Sequence, residues 1–152
     1  MKRYSLFILI IICLLLTGCN DKVKEAKGIT DFQTVCTNEG FTTHSSMIDY
    51  KDYNYILDAL KANNENIEIE MISYDTDESA KKVQDQQIDN FMNLKSANAI
   101  INKEKGKNFY KYSMISNRYY MVSSRIDNTL LFAKVSLENK DTIDKIFDEL
   151  GY

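Results

Sequence analysis

The chain of 152 residues has no proline, one histidine (His44), three cysteines and five glycines, scattered rather than clustered. Each scarcity removes a class of chemistry. A zinc site usually takes three or four His, Cys, Asp or Glu ligands at suitable spacing, and neither HExxH nor paired CxxC occurs. Scattered glycines leave no GxGxxG turn and no P-loop to cradle a phosphate. Arginine is scarce as well: beyond residue 18 only Arg118 and Arg125 are found. No basic stripe gathers on a predicted face. Nucleic-acid binding, which needs clustered Lys and Arg against phosphate, is therefore not expected, and neither is attraction of the domain itself to anionic lipid.

What is present is ordinary globular composition, 44% hydrophobic and 27% charged, which suits one domain. Asparagine, isoleucine and lysine are abundant. Together with the missing proline this bias implies an AT-rich genome, such as that of a low-GC Gram-positive bacterium.

The most hydrophobic run is LFILIIICLLLTGCN, residues 6–20. Lys2 and Arg3 precede an apolar segment of 11 residues, Leu6 to Leu16. A membrane-spanning helix needs about 20 apolar residues, so the run has signal-peptide length. A buried core helix is disfavoured because polar Asn20-Asp21-Lys22 follows at once. Leu16-Thr17-Gly18-Cys19 resembles the lipobox of bacterial lipoproteins, Leu-x-Gly/Ala-Cys, with basic, apolar and lipobox segments in the right order. That resemblance implies residues 1–18 as a lipoprotein signal peptide, a diacylglyceryl thioether on Cys19, and Cys19 as the mature N-terminus. It also implies an extracytoplasmic, lipid-anchored location at the cell membrane. Two acyl chains hold stably where one does not, since each buried CH₂ contributes about 0.8 kcal/mol. Cleavage leaves 17 basic against 22 acidic residues. Cys13 leaves with the signal, Cys19 becomes a thioether, and Cys36 is the one remaining thiol. No intrachain disulfide is then possible.

Residues 19–28 read as the lipidated cysteine and a short polar tether, and residues 29–152 as a single α+β domain. Thr30-x-x-Gln33 fits a capping box, Phe32, Val35 and Cys36 share a helical face, and Gly40 suits a helix C-terminus, predicting a helix over 31–39. Residues 42–50 look weakly extended. Residues 52–62 fit both helical and strand spacing, and a strand is the favoured assignment, turning through Asn63-Asn64-Glu65-Asn66. In 66–74, Ile67, Ile69 and Met71 alternate with Glu68 and Glu70, a half-buried strand with the acids on its solvated side. Asp75 and Glu78 cap a long helix over 76–94 that covers the sheet, and 96–107 reads as a solvated loop. Three strands, 108–116, 118–126 and 129–137, form an antiparallel meander, and Ile143, Ile146, Phe147 and Leu150 mark a last helix over 140–150. The expected order is α-ββ(β)-α-βββ-α: a mainly antiparallel sheet with helices packed on one face.

A second resemblance rests on Tyr110-x-Tyr112-Ser113, Ser116-Asn117-Arg118-Tyr119-Tyr120-Met121-Val122, Ser124-Arg125-Ile126-Asp127-Asn128-Thr129 and the close Ile146-x-x-Glu149-Leu150-Gly151-Tyr152. These stretches are similar to small uncharacterised lipoproteins of clostridia and related Firmicutes. The resemblance implies one small α+β domain behind a signal peptide, with residues 54–62 extended, and implies no activity.

Four candidate sites follow. Cys36 and His44 flank the Gly40 turn, the sole arrangement with a nucleophile and a base. It lacks an orienting group, and a lone cysteine on an apolar face is more often a small core residue. Asp75, Asp77 and Glu78 suggest calcium, but the sixth position of an EF-hand loop would be Ala80 where glycine is required. Glu68 and Glu70 share a strand face, as a solvated side more than as an acid/base pair. Tyr110, Tyr112, Tyr119 and Tyr120, with Arg125, lie on adjacent strands and would give an aromatic binding surface, or simply cross-strand pairs that stabilise the sheet. Arg125 and Asp127 would make an ion pair at the turn. The expectation is a non-enzymatic domain that binds a protein, peptide or envelope component, with the covalent diacylglycerol on Cys19 as its only attached group. The alternatives are a small-molecule or lipid carrier with a pocket between sheet and helices, and a surface enzyme using Cys36 and His44.

Overall fold

A computed structural model of the chain describes residues 22–152. The signal peptide, the lipobox and Cys19 lie outside the described residues. In chain order the elements are α1 (Ile29–Asn38), β1 (Thr42–Ser45), a 3₁₀ turn (Met47–Tyr50), β2 (Ile56–Asn63), β3 (Glu68–Tyr74), α2 (Asp77–Met92), β4 (Ile100–Lys105), β5 (Phe109–Ser116), β6 (Tyr119–Ile126), β7 (Thr129–Ser136), a 3₁₀ turn (Leu137–Asn139) and α3 (Lys140–Glu149). The seven strands form one antiparallel sheet in the order β1-β2-β3-β7-β6-β5-β4. The α+β class and the order of elements are as the sequence predicts.

The helices do not share one face, contrary to the sequence expectation. Phe32 and Cys36 of α1 and Ile143, Ile146 and Phe147 of α3 pack with Ile69, Met71, Val122, Leu131 and Ala133. The alternate residues of the same strands, Ile72, Tyr74, Leu130, Tyr112 and Met121, pack with Ala80 and Phe91 of α2 on the opposite face. The physical reason is topological. After β3 the chain must cross β7, β6 and β5 to reach the far edge at β4, four strand steps or about 19 Å away. A helix of 16 residues is about 24 Å long, so α2 makes that crossing over the face α1 and α3 leave open.

The edge strand β4 replaces the loop expected over 96–107. It pairs with β5 from Ile100 opposite Ile115 to Lys105 opposite Tyr110. Its sequence, IINKEK, looks like a solvated loop because edge strands carry lysine to block further pairing. Strand β2 is buried from both sides, with Ala59 on one face and Leu60 and Ala62 on the other. That explains why neither periodicity decided it.

Helix α1 begins two residues earlier than predicted. Its N-cap is Gly28, whose N–H donates to the Asp31 carboxylate at 3.2 Å, and no Thr30–Gln33 box forms. The cap of α2 is Thr76, accepting from the Ser79 N–H at 3.2 Å, one residue past the predicted Asp75. The turn after β2 closes through the Asn64 side chain, which accepts from the N–H groups of Asn66 and Ile67, rather than through left-handed asparagine. Both α1 and α3 end in the same Schellman closure: Gly40 (φ 83°) and Gly151 (φ 79°) bond back to Thr37 and Asp148, and Phe41 and Tyr152 bond back to Cys36 and Phe147.

The described part of the expected tether is bound to the domain. Asn108 pairs with the Lys24 main chain in both directions, at 3.0 and 2.8 Å, and the Lys107 N–H donates to the Lys22 carbonyl at 2.9 Å. Gly106 makes this approach possible, since a Cβ there would fall 2.3 Å from the Lys22 carbonyl oxygen.

The β5–β6 hairpin turns through Asn117 (φ 49°) and Arg118 (φ 69°), both left-handed. Asparagine tolerates that conformation; arginine carries a Cβ penalty of about 1–2 kcal/mol. Arg118→Gly is expected to raise stability by about 1 kcal/mol, seen as a higher urea midpoint at unchanged slope.

Candidate functional site

The predicted aromatic surface is not one surface. Tyr112 and Tyr120 are both buried, and they face opposite sides of the sheet. The Tyr112 hydroxyl lies 3.1 Å from the Met92 sulfur. Tyr120 donates to the Asp144 carboxylate at 2.6 Å, beneath the Lys140 ammonium, and so ties β6 to α3. Tyr110 is half-buried, and its carbonyl accepts from the buried Gln84 amide at 2.8 Å. Tyr119 is exposed with Lys134 over its ring. Arg125 donates to the Asp127 carbonyl at 2.9 Å rather than to its carboxylate, which accepts from Asn108. Tyr110 and Arg125 are cross-strand partners, Tyr110 packs beside Tyr112, and Arg125 Nε is buried without a partner; Tyr120 on the other face and Tyr119 at the far end of the hairpin stand apart, so the five do not make one exposed surface.

Cys36 and His44 are separated in the same way. Cys36 is fully buried in the core beneath α1. His44 pairs with Lys61, on the phase of β1 and β2 opposite to Leu60 and Ala62, which line the Cys36 core. Burial, with the charge of Glu39 adding, pushes the Cys36 thiol up to about 12. Among the described residues no group of three or more His, Cys, Asp or Glu side chains could hold a metal, and no helix is long and apolar enough to cross a membrane.

The residues that do converge are different tyrosines. The 3₁₀ turn folds back over β2 and β3, stitched by the Ser46 N–H to the Ala59 carbonyl at 3.0 Å. Tyr50, Tyr53, Tyr55 and Tyr74 then form a continuous series of rings. Centroid separations are 6.5, 5.7 and 6.4 Å; the first two contacts are edge-on and the third is stacked. With Val83, Gln86 and Gln87 of α2 they line a cleft of about 210 Å³. A second cleft of about 280 Å³ shares Tyr53, Tyr55, Val83 and Gln86 and adds Ser79 and Lys82.

Two polar atoms here are buried without a hydrogen-bond partner, Tyr74 Oη and Gln87 Oε1. An orphaned buried polar group costs about 1–3 kcal/mol, a cost that a buried water or a bound group removes by pairing with it. Behind the rings lies Glu70, 5% exposed rather than on a solvated strand face. Its carboxylate accepts from Ser46 Oγ at 2.6 Å, with the Tyr50 phenol beside it. Burial raises the Glu70 carboxyl above its ordinary value, and the two hydroxyls and Lys61 pull it partly back. Burial and the nearby Glu70 charge also raise the phenols of Tyr50 and Tyr74, so both stay protonated and can donate.

Sequence reasoning missed this cleft because it assigned Tyr53 and Tyr55 to a strand over 52–62 that begins only at Ile56, and because Tyr50 lies in a 3₁₀ turn that the sequence did not signal. The buried Glu70 looked solvated because its alternation with Ile69 and Met71 assumed one open face.

No protein-family model matches the chain, and no curated protein or solved structure matches it either.

Two outcomes follow. A carboxyl raised on folding makes the native state bind the extra proton. Its stability is therefore full below the unfolded value of about 4.3 and is lost as pH rises through the raised folded value. Glu70→Gln is expected to flatten that fall, by at most about 1.4 kcal/mol per pH unit, in urea midpoints measured from pH 4 upward. Iodoacetamide is expected to leave the Cys36 peptide unmodified in native protein and to alkylate it in urea, as peptide mass spectrometry would report.

Proposed function

We propose that this chain is a membrane-anchored extracytoplasmic lipoprotein whose folded part is a non-enzymatic binding domain. The anchor is the diacylglyceryl group on Cys19, and the tyrosine cleft is the binding site. The ordered n-region, apolar segment and lipobox support the anchor. The observation that carries the binding reading is the pair of unpartnered buried atoms, Tyr74 Oη and Gln87 Oε1, set among four tyrosine rings. Tyrosine gives large contact area at small entropic cost. Gln87 Oε1 can only accept, so the bound group must donate to it. A protein, peptide or envelope component that offers an N–H or O–H beside a flat or apolar surface meets both demands.

The separated Cys36 and His44 give an enzyme reading no nucleophile–base contact. A carrier needs a pocket of about 300–1,000 Å³ that engulfs its cargo. Clefts of about 690 and 300 Å³ lie at the other end of the sheet, around Asn117 and Tyr119, and hold no unpartnered buried side-chain atom; the tyrosine clefts, about 210 and 280 Å³, suit the capture of a side chain or terminal group.

The test has two parts. Cys19→Ala is expected to release the protein into the medium, and continued membrane retention would sink the anchor. A photo-crosslinking phenylalanine analogue at position 53 in living cells is expected to yield one discrete adduct. That adduct should be lost on Gln87→Leu and absent when the analogue replaces the exposed Tyr119. No adduct at 53, or the same adducts from both positions, would overturn the cleft as the site.

A further inference from the structure

Residues that look unremarkable in sequence meet at one corner of the sheet. The bound strap brings Lys22 and Lys24 against the end of β4, which carries Lys103 and Lys105, and the β4–β5 turn, which carries Lys107. Lys103, its ammonium over the Tyr112 ring, and Lys105 stand on the α2 side of this edge strand, and Glu104 stands on the other. All of these lysines but Lys24 are exposed. Glu104 lies 3.9 Å from Lys22 and 3.8 Å from Lys24. Glu25 on the strap and Asp127, which accepts from Asn108, are further carboxylates here. The adjoining Lys111 and Lys140 face Asp148 and Asp144, so seven ammonium groups stand against five carboxylates, in a protein whose formal charge is -3. The local sign is opposite to the global one. Val23, between the two strap lysines, is a 64% exposed apolar side chain.

The corner is where the membrane must be if the chain is anchored as proposed above, a reading on which this inference rests. The strap is fixed to the domain from Lys22 onward. Only Cys19, Asn20 and Asp21 separate that point from the lipid, and three residues span at most about 10 Å. The anchor therefore leaves the domain little freedom to tumble away, and the surface around Lys22 is the one held against the headgroups. Basic side chains held within a Debye length of anionic headgroups gain about 1 kcal/mol each. The sequence showed no basic stripe because the five lysines come from two segments about 80 residues apart, joined by the Lys24–Asn108 bonds.

We infer that Lys22, Lys24, Lys103, Lys105 and Lys107, with Val23 between the first two, form a membrane-contact face that recognises anionic lipid headgroups and fixes the orientation of the domain on the bilayer. The anchor supplies retention, and the lysine corner supplies the pose.

The test uses the processed protein purified from membranes and placed in vesicles. An environment-sensitive fluorophore is attached at Val23→Cys; Cys36 is buried and stays unlabelled. The control carries the fluorophore at Leu137→Cys, at the other end of the sheet. With equal parts phosphatidylglycerol and phosphatidylcholine, the emission at 23 is expected to shift to the blue and that at 137 to stay unchanged. The shift should vanish on pure phosphatidylcholine and in about 0.5 M salt. Lys105→Glu and Lys107→Glu should each lower the docked-to-free ratio about fivefold or more. Equal emission at 23 on both vesicle types, or an equal shift at 137, would overturn the inference. The mass of the N-terminal peptide reads the anchor separately. An unmodified Cys19 would sink the anchor, and flotation of the protein with anionic vesicles would then report on the lysine corner alone.

Discussion

Thr129 Oγ1 and Tyr152 Oη lie 2.5 Å apart, Thr129 Oγ1 reaches the Ile126 carbonyl at 2.7 Å, and Tyr152 Oη reaches the Lys27 carbonyl at 3.1 Å. Two hydroxyl protons are shared among three contacts, so the chain of bonds acts as a unit. It joins the start of β7, the Schellman turn after α3, and the strap. Tyr152 is 1% exposed; its ring fills the core while its oxygen is satisfied at both ends, as a buried tyrosine requires. This contact fixes the end of the strap nearest α1, as the bonds from Asn108 and Lys107 fix its start. The Lys27 carbonyl is fixed by Tyr152 and the Lys27 ammonium by the Glu149 carbonyl. Helix α1, which starts one residue after Gly28, inherits its position from both.

With that corner closed, the rest of the fold follows from covering a sheet on both sides. One face is covered by two short helices that end in identical closures and bury Phe41 and Tyr152 just past them. The other is covered by α2 alone, which cannot reach the β1–β2 end. There the 3₁₀ turn and the tyrosine series take its place. The cleft is thus a consequence of the layer arrangement: it occupies the seam between the middle of α2 and the chain that leads into β2. Neither side of that seam offers a partner for Tyr74 Oη or Gln87 Oε1.

Much of the fold was legible because its signals are local. The hairpin strands β5, β6 and β7 are separated by two-residue polar breaks, and α3 keeps Ile143, Ile146, Phe147 and Leu150 on one face, all buried as predicted. What was illegible is nonlocal. Face assignment needs the strand order, and β4 sits last in the sheet though it is fourth in the chain. Glu70 is buried by a turn twenty residues upstream of it, and Gln84 by two carbonyls on different strands. The tyrosines favoured from the sequence are in regular strands, where alternation sends neighbours to opposite sides. Of the tyrosines that converge, Tyr50, Tyr53 and Tyr55 lie outside regular strands, and only Tyr74, at the end of β3, is in one.

The antiparallel order also relates the cleft to the lysine corner. Strands β3, β6 and β4 end where β7 and β5 begin, so Tyr74, Asn128, Asn108 and Lys105 mark one end of the sheet. The Tyr74 N–H donates to the Asn128 carbonyl, and the Asp127 N–H donates to the Asn108 carbonyl. These links run unbroken from the cleft toward the strap. Four strand steps, about 19 Å, separate β3 from β4 along that end. A domain resting on Lys105 and Lys107 would therefore hold Tyr53 and Tyr55 close to the bilayer rather than away from it. Tyrosine is at home at that depth, with its ring against acyl chains and its hydroxyl among headgroups. The proposed pose thus favours partners that themselves lie at the membrane surface, and a partner approaching from bulk solvent would have to reach the cleft from the side.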